Sequence, residues 1–106
     1  MKRGDIYWAD LGPPAGRRPV LILSRDAAIP VLSAVVVAPL TRTIRGIASE
    51  VKLGRDEGLP DDCVASCDNL MTIPKDRLDQ GAAGSLDVRK NVELDGALRF
   101  ALQIDF

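Results

Sequence analysis

Gly16-Arg17-Arg18-Pro19-Val20-Leu21-Ile22-Leu23 opens on two cations and closes on a continuous apolar run. A run this short, bounded by loop residues, reads as a strand buried on both faces. Val35-Val36-Val37-Ala38, ended by Pro39, reads the same way. Outward from this pair, Asp5-Ile6-Tyr7-Trp8-Ala9-Asp10 has the aromatic and β-branched content of a first strand. Two glycines and two prolines make 12–16 a loop, and 41–46 is a polar, basic one. Residues 48–53 alternate weakly, as a strand with one wet face does, and 54–62 is turn chemistry. Residues 63–67 and 70–73 make two further strands, or one strand bent at Asp68-Asn69. The end differs. Ser85 is suited to cap a helix, with Asp87 in its first turn. Val88, Val92, Leu94, Leu98, Ala101 and Leu102 then fall in one broad helical arc, into which Asn91 and Asp95 intrude. Phe100 lies opposite, placed to meet a partner subunit. Five or six short strands and one C-terminal helix predict a mainly β fold built on a small, curled antiparallel sheet.

The length of 106 residues predicts one domain over 1–106, with one core and one shallow site. A hydrophobic share of 46% against 27% charged residues argues for a packed chain. No apolar run approaches the ~20 residues that span a bilayer. The opening Met1-Lys2-Arg3-Gly4-Asp5 lacks the apolar stretch of a signal peptide, and the expected compartment is the cytoplasm. Cys63 and Cys67 are too far apart along an extended segment to bond to each other, and read as reduced core residues. The chain has no histidine. That excludes Ser-His-Asp and Cys-His catalysis, imidazole-built zinc hydrolases and histidine-pair ribonucleases. Neither a metal site nor a cofactor is expected.

The formal net charge is −1, but it is unevenly spread. Residues 1–55 hold nine Lys/Arg and four acids, and residues 56–106 hold five and eleven. Such a bias builds a basic patch for an anionic ligand, unless the halves interleave in space and cancel.

Chemistry can sit in three places. Arg17 and Arg18 stand at the mouth of a buried strand, where guanidinium forks onto phosphate oxygens; Pro19 holds the Arg18 backbone extended. An arginine pair that merely solvates a strand end has the same sequence. In Ala38-Pro39-Leu40-Thr41-Arg42-Thr43, two hydroxyls and an arginine leave a buried strand together, fit to donate to phosphate oxygens or simply to cap a turn. Ser66-Cys67-Asp68-Asn69 breaks two apolar stretches, and Asp68 and Asn69 can read base edges or form an Asx-turn.

Taken together these stretches resemble the MazF/PemK family of toxin endoribonucleases. The resemblance rests on Gly4-Asp5-Ile6-Tyr7-Trp8-Ala9-Asp10-Leu11, Arg18-Pro19-Val20-Leu21-Ile22, Val36-Val37-Ala38-Pro39-Leu40-Thr41, Glu50-Val51, Ile73-Pro74-Lys75-Asp76-Arg77-Leu78 and the terminal helix with Leu98, in order. It implies an SH3-like, partly closed β-barrel of the MazF/CcdB kind and a two-fold homodimer. It implies metal-independent, sequence-specific cleavage of single-stranded RNA (mRNA, rRNA or tRNA) to 2′,3′-cyclic phosphate and 5′-OH ends. It also implies neutralisation by a cognate, MazE-like antitoxin with an acidic, disordered tail. The family's catalytic Arg falls on Arg18 and its catalytic Thr on Thr41, with Arg17, Arg42, Asp68 and Asn69 placed to bind substrate.

The absent histidines agree with this reading, since RNA carries its own nucleophile, the 2′-OH, and the enzyme has only to align and stabilise. Two other classes compete. A CcdB-like poison of DNA gyrase shares the fold but has no need of an Arg18/Thr41 pair. A plain SH3-like binding module needs more aromatics than the four in this chain.

Overall fold

The computed structural model describes residues 1–105. Seven strands run as β1 (Asp5–Asp10), β2 (Arg17–Ile22), β3 (Ala34–Thr41), β4 (Glu50–Leu53), β5 (Cys63–Ser66), β6 (Met71–Pro74) and β7 (Gly84–Ser85), followed by helix α1 (Val88–Leu102). Every pairing is antiparallel, in the order β4-β5-β3-β2-β1-β7, with β6 also on β3. The eight-residue β3 organises the sheet. One edge pairs with β2; the other pairs with β6 over Ala34–Val37 and with β5 at Leu40 and Thr41. The switch of partner curls the sheet into a half-barrel. Residues 63–67 and 70–73 are therefore two strands, separated by a turn at Asp68-Asn69.

The apolar runs are buried on both faces because the sheet is packed on both. From β2, Val20 and Ile22 enter one cluster with Tyr7, Val35, Val37 and Ile73. Leu21 enters the other with Ile6, Ala38, Leu40, Val51 and Leu94. β3 runs through Pro39 to Thr41 and does not stop at the proline. On the β5/β6 edge Ala38 and Pro39 have no partner, so the missing N–H breaks no ladder bond there. Gly84 lets β7 pass the turn at residues 55–58: a Cβ there would lie 1.7 Å from the Glu57 carbonyl oxygen.

Two details of the helix depart from expectation. Ser85 pairs with Asp5 in β7 and is not the cap; Asp87 is, its Oδ1 accepting from the Lys90 N–H at 2.8 Å. The buried face is also narrower than the apolar arc. It centres on Leu94 (0% exposed) and Ala97, with Leu98 and Ala101 half-buried. Val88 and Val92 lie about 120° and 160° round the helix from Leu94 and face solvent. The intruding polar residues have work elsewhere. Asp95 pairs with Arg3 at 3.2 Å, and Asn91 packs over Gly4 and donates to the Asp87 carbonyl at 3.1 Å. Phe100 is 64% exposed. Val88, Val92, Gly96, Phe100 and Ile104 are spaced four apart, an exposed ridge along the helix and just past its end.

Candidate active site

The antiparallel register between β2 and β3 sets Val20 against Pro39, Leu21 against Ala38 and Ile22 against Val37. The pairing ends at Val20 and Pro39; Arg18 and Thr41 lie two residues beyond it, on the face those two share, and both line one cleft. The two strand ends open into a cleft of about 350 Å³. Arg17, Arg18, Thr41 and Arg42 line it, over an apolar floor that includes Leu40, Leu59 and Cys63.

Arg18 begins as part of β2, opposite Ala9, and not in the preceding turn. Gly12 and Gly16, both at positive φ, close that turn with the Gly16 N–H on the Gly12 carbonyl at 2.7 Å. The turn directs the Ala15 carbonyl at Arg18, whose Nε donates to it at 3.2 Å. The two terminal nitrogens of Arg18 have no partner among the described residues. An anchored Nε with a free terminal pair is a fork held ready for a tetrahedral anion. Thr41 is half-buried at the end of β3, and its Oγ1 accepts from the Thr43 N–H at 3.1 Å. That bond occupies a lone pair and leaves the hydroxyl proton free to donate into the cleft.

The other arginines are engaged. Arg17 is bidentate to Asp79, at 3.1 and 2.8 Å. The pair raises the Arg17 pKa and holds the Asp79 carboxyl below the usual range, mainly through that hydrogen bond. Arg42 faces Asp61 at 3.6 Å, both side chains largely exposed. Arg3–Asp95, Arg17–Asp79 and Arg42–Asp61 each join the basic half of the sequence to the acidic half. The charge bias is therefore partly cancelled across the fold. In the cleft, Arg17 and Arg42 are paired in this way, and Arg18 is the arginine there without an ion-pair partner among the described residues.

Asp68 and Asn69 do not enter this cleft. They lie in a neighbouring cavity of about 230 Å³ with Thr43, Arg45 and Ser66, and Thr41 lines both. Asp68 accepts from the Ser49 hydroxyl at 2.5 Å, and Asn69 donates to Ser66 Oγ at 2.9 Å. Two further residues of the cleft went unread in the sequence, Trp8 and Asp61. Trp8 was legible: beside buried Tyr7 on a strand it must face the other way, and it sits half-buried over Pro19. Asp61 comes from a distant turn and carried no signal.

Both thiols are buried and unbonded. Burial pushes each up to about 11, so Cys63 at the cleft is a protonated, unreactive thiol at neutral pH. Among the described residues no group of three His, Cys, Asp or Glu side chains is placed to hold a metal ion, and no helix is long and apolar enough to cross a membrane.

The curled antiparallel sheet with a terminal helix is the fold of small toxins solved from mycobacteria. The chain belongs to the family of PemK-like, MazF-like toxins of type II toxin–antitoxin systems, which matches residues 2–102. It is 46% identical over 76 residues to the probable endoribonuclease MazF2 of Mycobacterium tuberculosis, covering 71% of this chain and 72% of that protein. Its fold matches the Mycobacterium tuberculosis toxin MazF-mt6 with a TM-score of 0.88 at 39% identity, covering 96% of this chain and 99% of that one. It also matches a mycobacterial endoribonuclease solved in complex with its cognate antitoxin, with a TM-score of 0.87 at 31% identity over 100% and 98% of the two chains.

Proposed function

We propose that this toxin endoribonuclease cuts single-stranded RNA in the cleft between Arg18 and Thr41, by attack of the substrate's own 2′-OH on the adjacent phosphorus. The P–O5′ bond breaks as the 2′-O–P bond forms. The products are a 2′,3′-cyclic phosphate and a 5′-OH, the 2′-OH proton leaving to water or to a substrate oxygen and the departing 5′ oxygen taking one up. The free terminal pair of Arg18 clamps the phosphate, and Thr41 donates to a non-bridging oxygen as charge builds there. Guanidinium holds its proton throughout, so Arg18 acts by charge and position. Positive charge from side chains replaces what a metal ion supplies in other nucleases, and no metal or cofactor is required. Arg42 holds a flanking phosphate once released from Asp61, and Arg17 supports the same path. Trp8 offers a face on which a base stacks, and Asp68 and Asn69 read base edges in the adjoining cavity.

The observation that carries this reading is that Arg18, its terminal nitrogens without a partner among the described residues, and the Thr41 hydroxyl line one cleft just beyond the end of the β2/β3 pairing. In the cell the substrate is mRNA, or exposed segments of rRNA and tRNA, in the cytoplasm, and residues 1–106 act as one toxin domain. A cognate, MazE-like antitoxin silences it with an acidic, disordered tail whose carboxylates compete for Arg18 and Arg42. The active species is a homodimer, supported by the exposed ridge through Val92 and Phe100. The test is incubation of a long RNA with the purified protein in excess chelator, followed by chemical mapping of the fragment ends. Fragments with cyclic phosphate and 5′-OH ends are expected; intact RNA, or 5′-phosphate ends, would refute the reading.

A further inference from the structure

We infer that the cavity beyond Thr41 is a pocket for guanine flanking the cleaved phosphate. The inference rests on the nuclease reading above and extends it to specificity.

Thr41 borders both cavities, so a phosphate held at Arg18 leaves an adjoining nucleoside at the entrance to the second. Its polar lining is arranged in advance. Asp68 Oδ2 is fixed by the hydroxyl of Ser49, which is 1% exposed, and Asp68 Oδ1 has no partner among the described residues. The Asn69 amide nitrogen is committed to Ser66 Oγ on a residue 8% exposed, which turns the Asn69 carbonyl outward as an acceptor. Glu50 Oε1 accepts the N–H groups of Arg45 and Gly46 at 3.0 and 2.9 Å and thereby shapes the loop, while Oε2, with only a 3.4 Å contact to the Arg45 N–H, adds a further acceptor to the lining. The Arg45 guanidinium on that loop makes no ion pair among the described residues.

The pocket therefore presents two neighbouring acceptors, each tied to a buried serine, with the Glu50 carboxylate as a further acceptor and Arg45 as a cationic donor. Single-stranded RNA offers its Watson–Crick edges to such a surface. Guanine alone has two adjacent donors, N1–H and N2–H₂, beside an acceptor, O6. It satisfies Asp68 and Asn69 together and leaves O6 for Arg45. Uracil sets carbonyl oxygens against the same acceptors; adenine and cytosine bring one donor group where two are wanted. A site built to hydrogen-bond a group rejects the analogue that lacks it.

The test sequences the 5′ ends of a random-sequence RNA cut by the wild-type protein, then compares oligonucleotides with guanine or inosine at the flanking position. Inosine keeps O6 and N1–H and loses only the 2-amino group, so no variant protein is needed. Guanine should be enriched at one position flanking the cut, and inosine should lower kcat/KM by about 5- to 100-fold. Asp68→Asn, which still accepts from Ser49, should flatten the guanine preference while the melting temperature holds. Another base at both flanking positions, equal cutting of inosine and guanine, or an unchanged preference in folded Asp68→Asn would each overturn the inference and leave the nuclease reading standing. No cleavage of any RNA by the wild-type protein would instead overturn both.

Discussion

Replacing Arg18 with alanine separates catalysis from folding more cleanly than any other single change in this molecule. The side chain is exposed, leaves no cavity, and gives up one hydrogen bond, Nε to the Ala15 carbonyl at 3.2 Å, which water can replace. Stability should therefore move by no more than about 0.5 kcal/mol. Chemistry should suffer far more. The lost terminal nitrogens are donors without a partner among the described residues, in the cleft that Thr41 also lines, and removing one donor to a developing oxyanion typically costs about 10²–10³ in rate. That is about 2.7–4 kcal/mol of transition-state stabilisation. Arg18→Lys keeps the charge and loses the fork, so it should recover only part of the rate. Thr41→Val keeps the shape of the strand end and removes the proton donor, with a loss of similar order. The double variant should be little worse than either single one, because the two groups act on one phosphate. The assay is single-turnover cleavage of a fluorophore–quencher RNA at saturating protein, alongside a thermal melt. A folded Arg18→Ala protein that cuts within about threefold of wild type would refute the argument that this guanidinium stabilises the transition state.

Three more outcomes follow from particular contacts. Asp61→Asn removes the one carboxylate in the cleft and frees Arg42, an exposed pair worth at most about 1 kcal/mol, so KM for RNA should fall about two- to fivefold, and less in high salt; an unchanged or higher KM would mean that Asp61 does not oppose the substrate. Leu94→Ala empties the centre of the helix–sheet contact at a fully buried position and should cost about 2–5 kcal/mol, lowering Tm by about 10 °C or more, as calorimetry would show. Phe100→Asp on the exposed helix ridge should weaken self-association in sedimentation velocity while leaving the far-ultraviolet spectrum intact, and an unchanged sedimentation coefficient would refute the ridge as a self-association surface.

The strands were legible because their signal is local. Val20-Leu21-Ile22 is apolar without a break because alternate side chains enter different clusters on the two faces of the sheet. The loop at 12–16 declared itself through glycines that are needed at positive φ. Helix details were less readable. Asp87 and Ser85 are both good caps, and only the pairing of Ser85 with Asp5 decides between them. The width of the buried helix face depends on how much sheet lies beneath it, which leaves Val88 outside. Composition and spacing could not bring Arg18 beside Thr41, 23 positions on in the chain. The family resemblance pointed to both, and the β2/β3 register explains why they meet. The bidentate hold of Asp79 on Arg17 was likewise invisible, since it joins residues 62 apart. For the same reason the charge bias overstated the basic patch: its acidic partners come from the other half of the chain.

If the protein supplies no nucleophile and the RNA attacks itself, one 2′-hydroxyl decides whether a bond is cut. The most direct measurement uses an oligoribonucleotide containing a known cleavage site, with one 2′-hydroxyl replaced by hydrogen on the nucleotide 5′ to the cut. Binding should be nearly unchanged, because the charge and the bases are the same. Cleavage at that bond should disappear, while neighbouring sites with intact ribose are still cut. Cleavage at the deoxy-substituted bond at the wild-type rate would rule out attack by the 2′-hydroxyl, since the attacking oxygen would then have to come from water or from the protein.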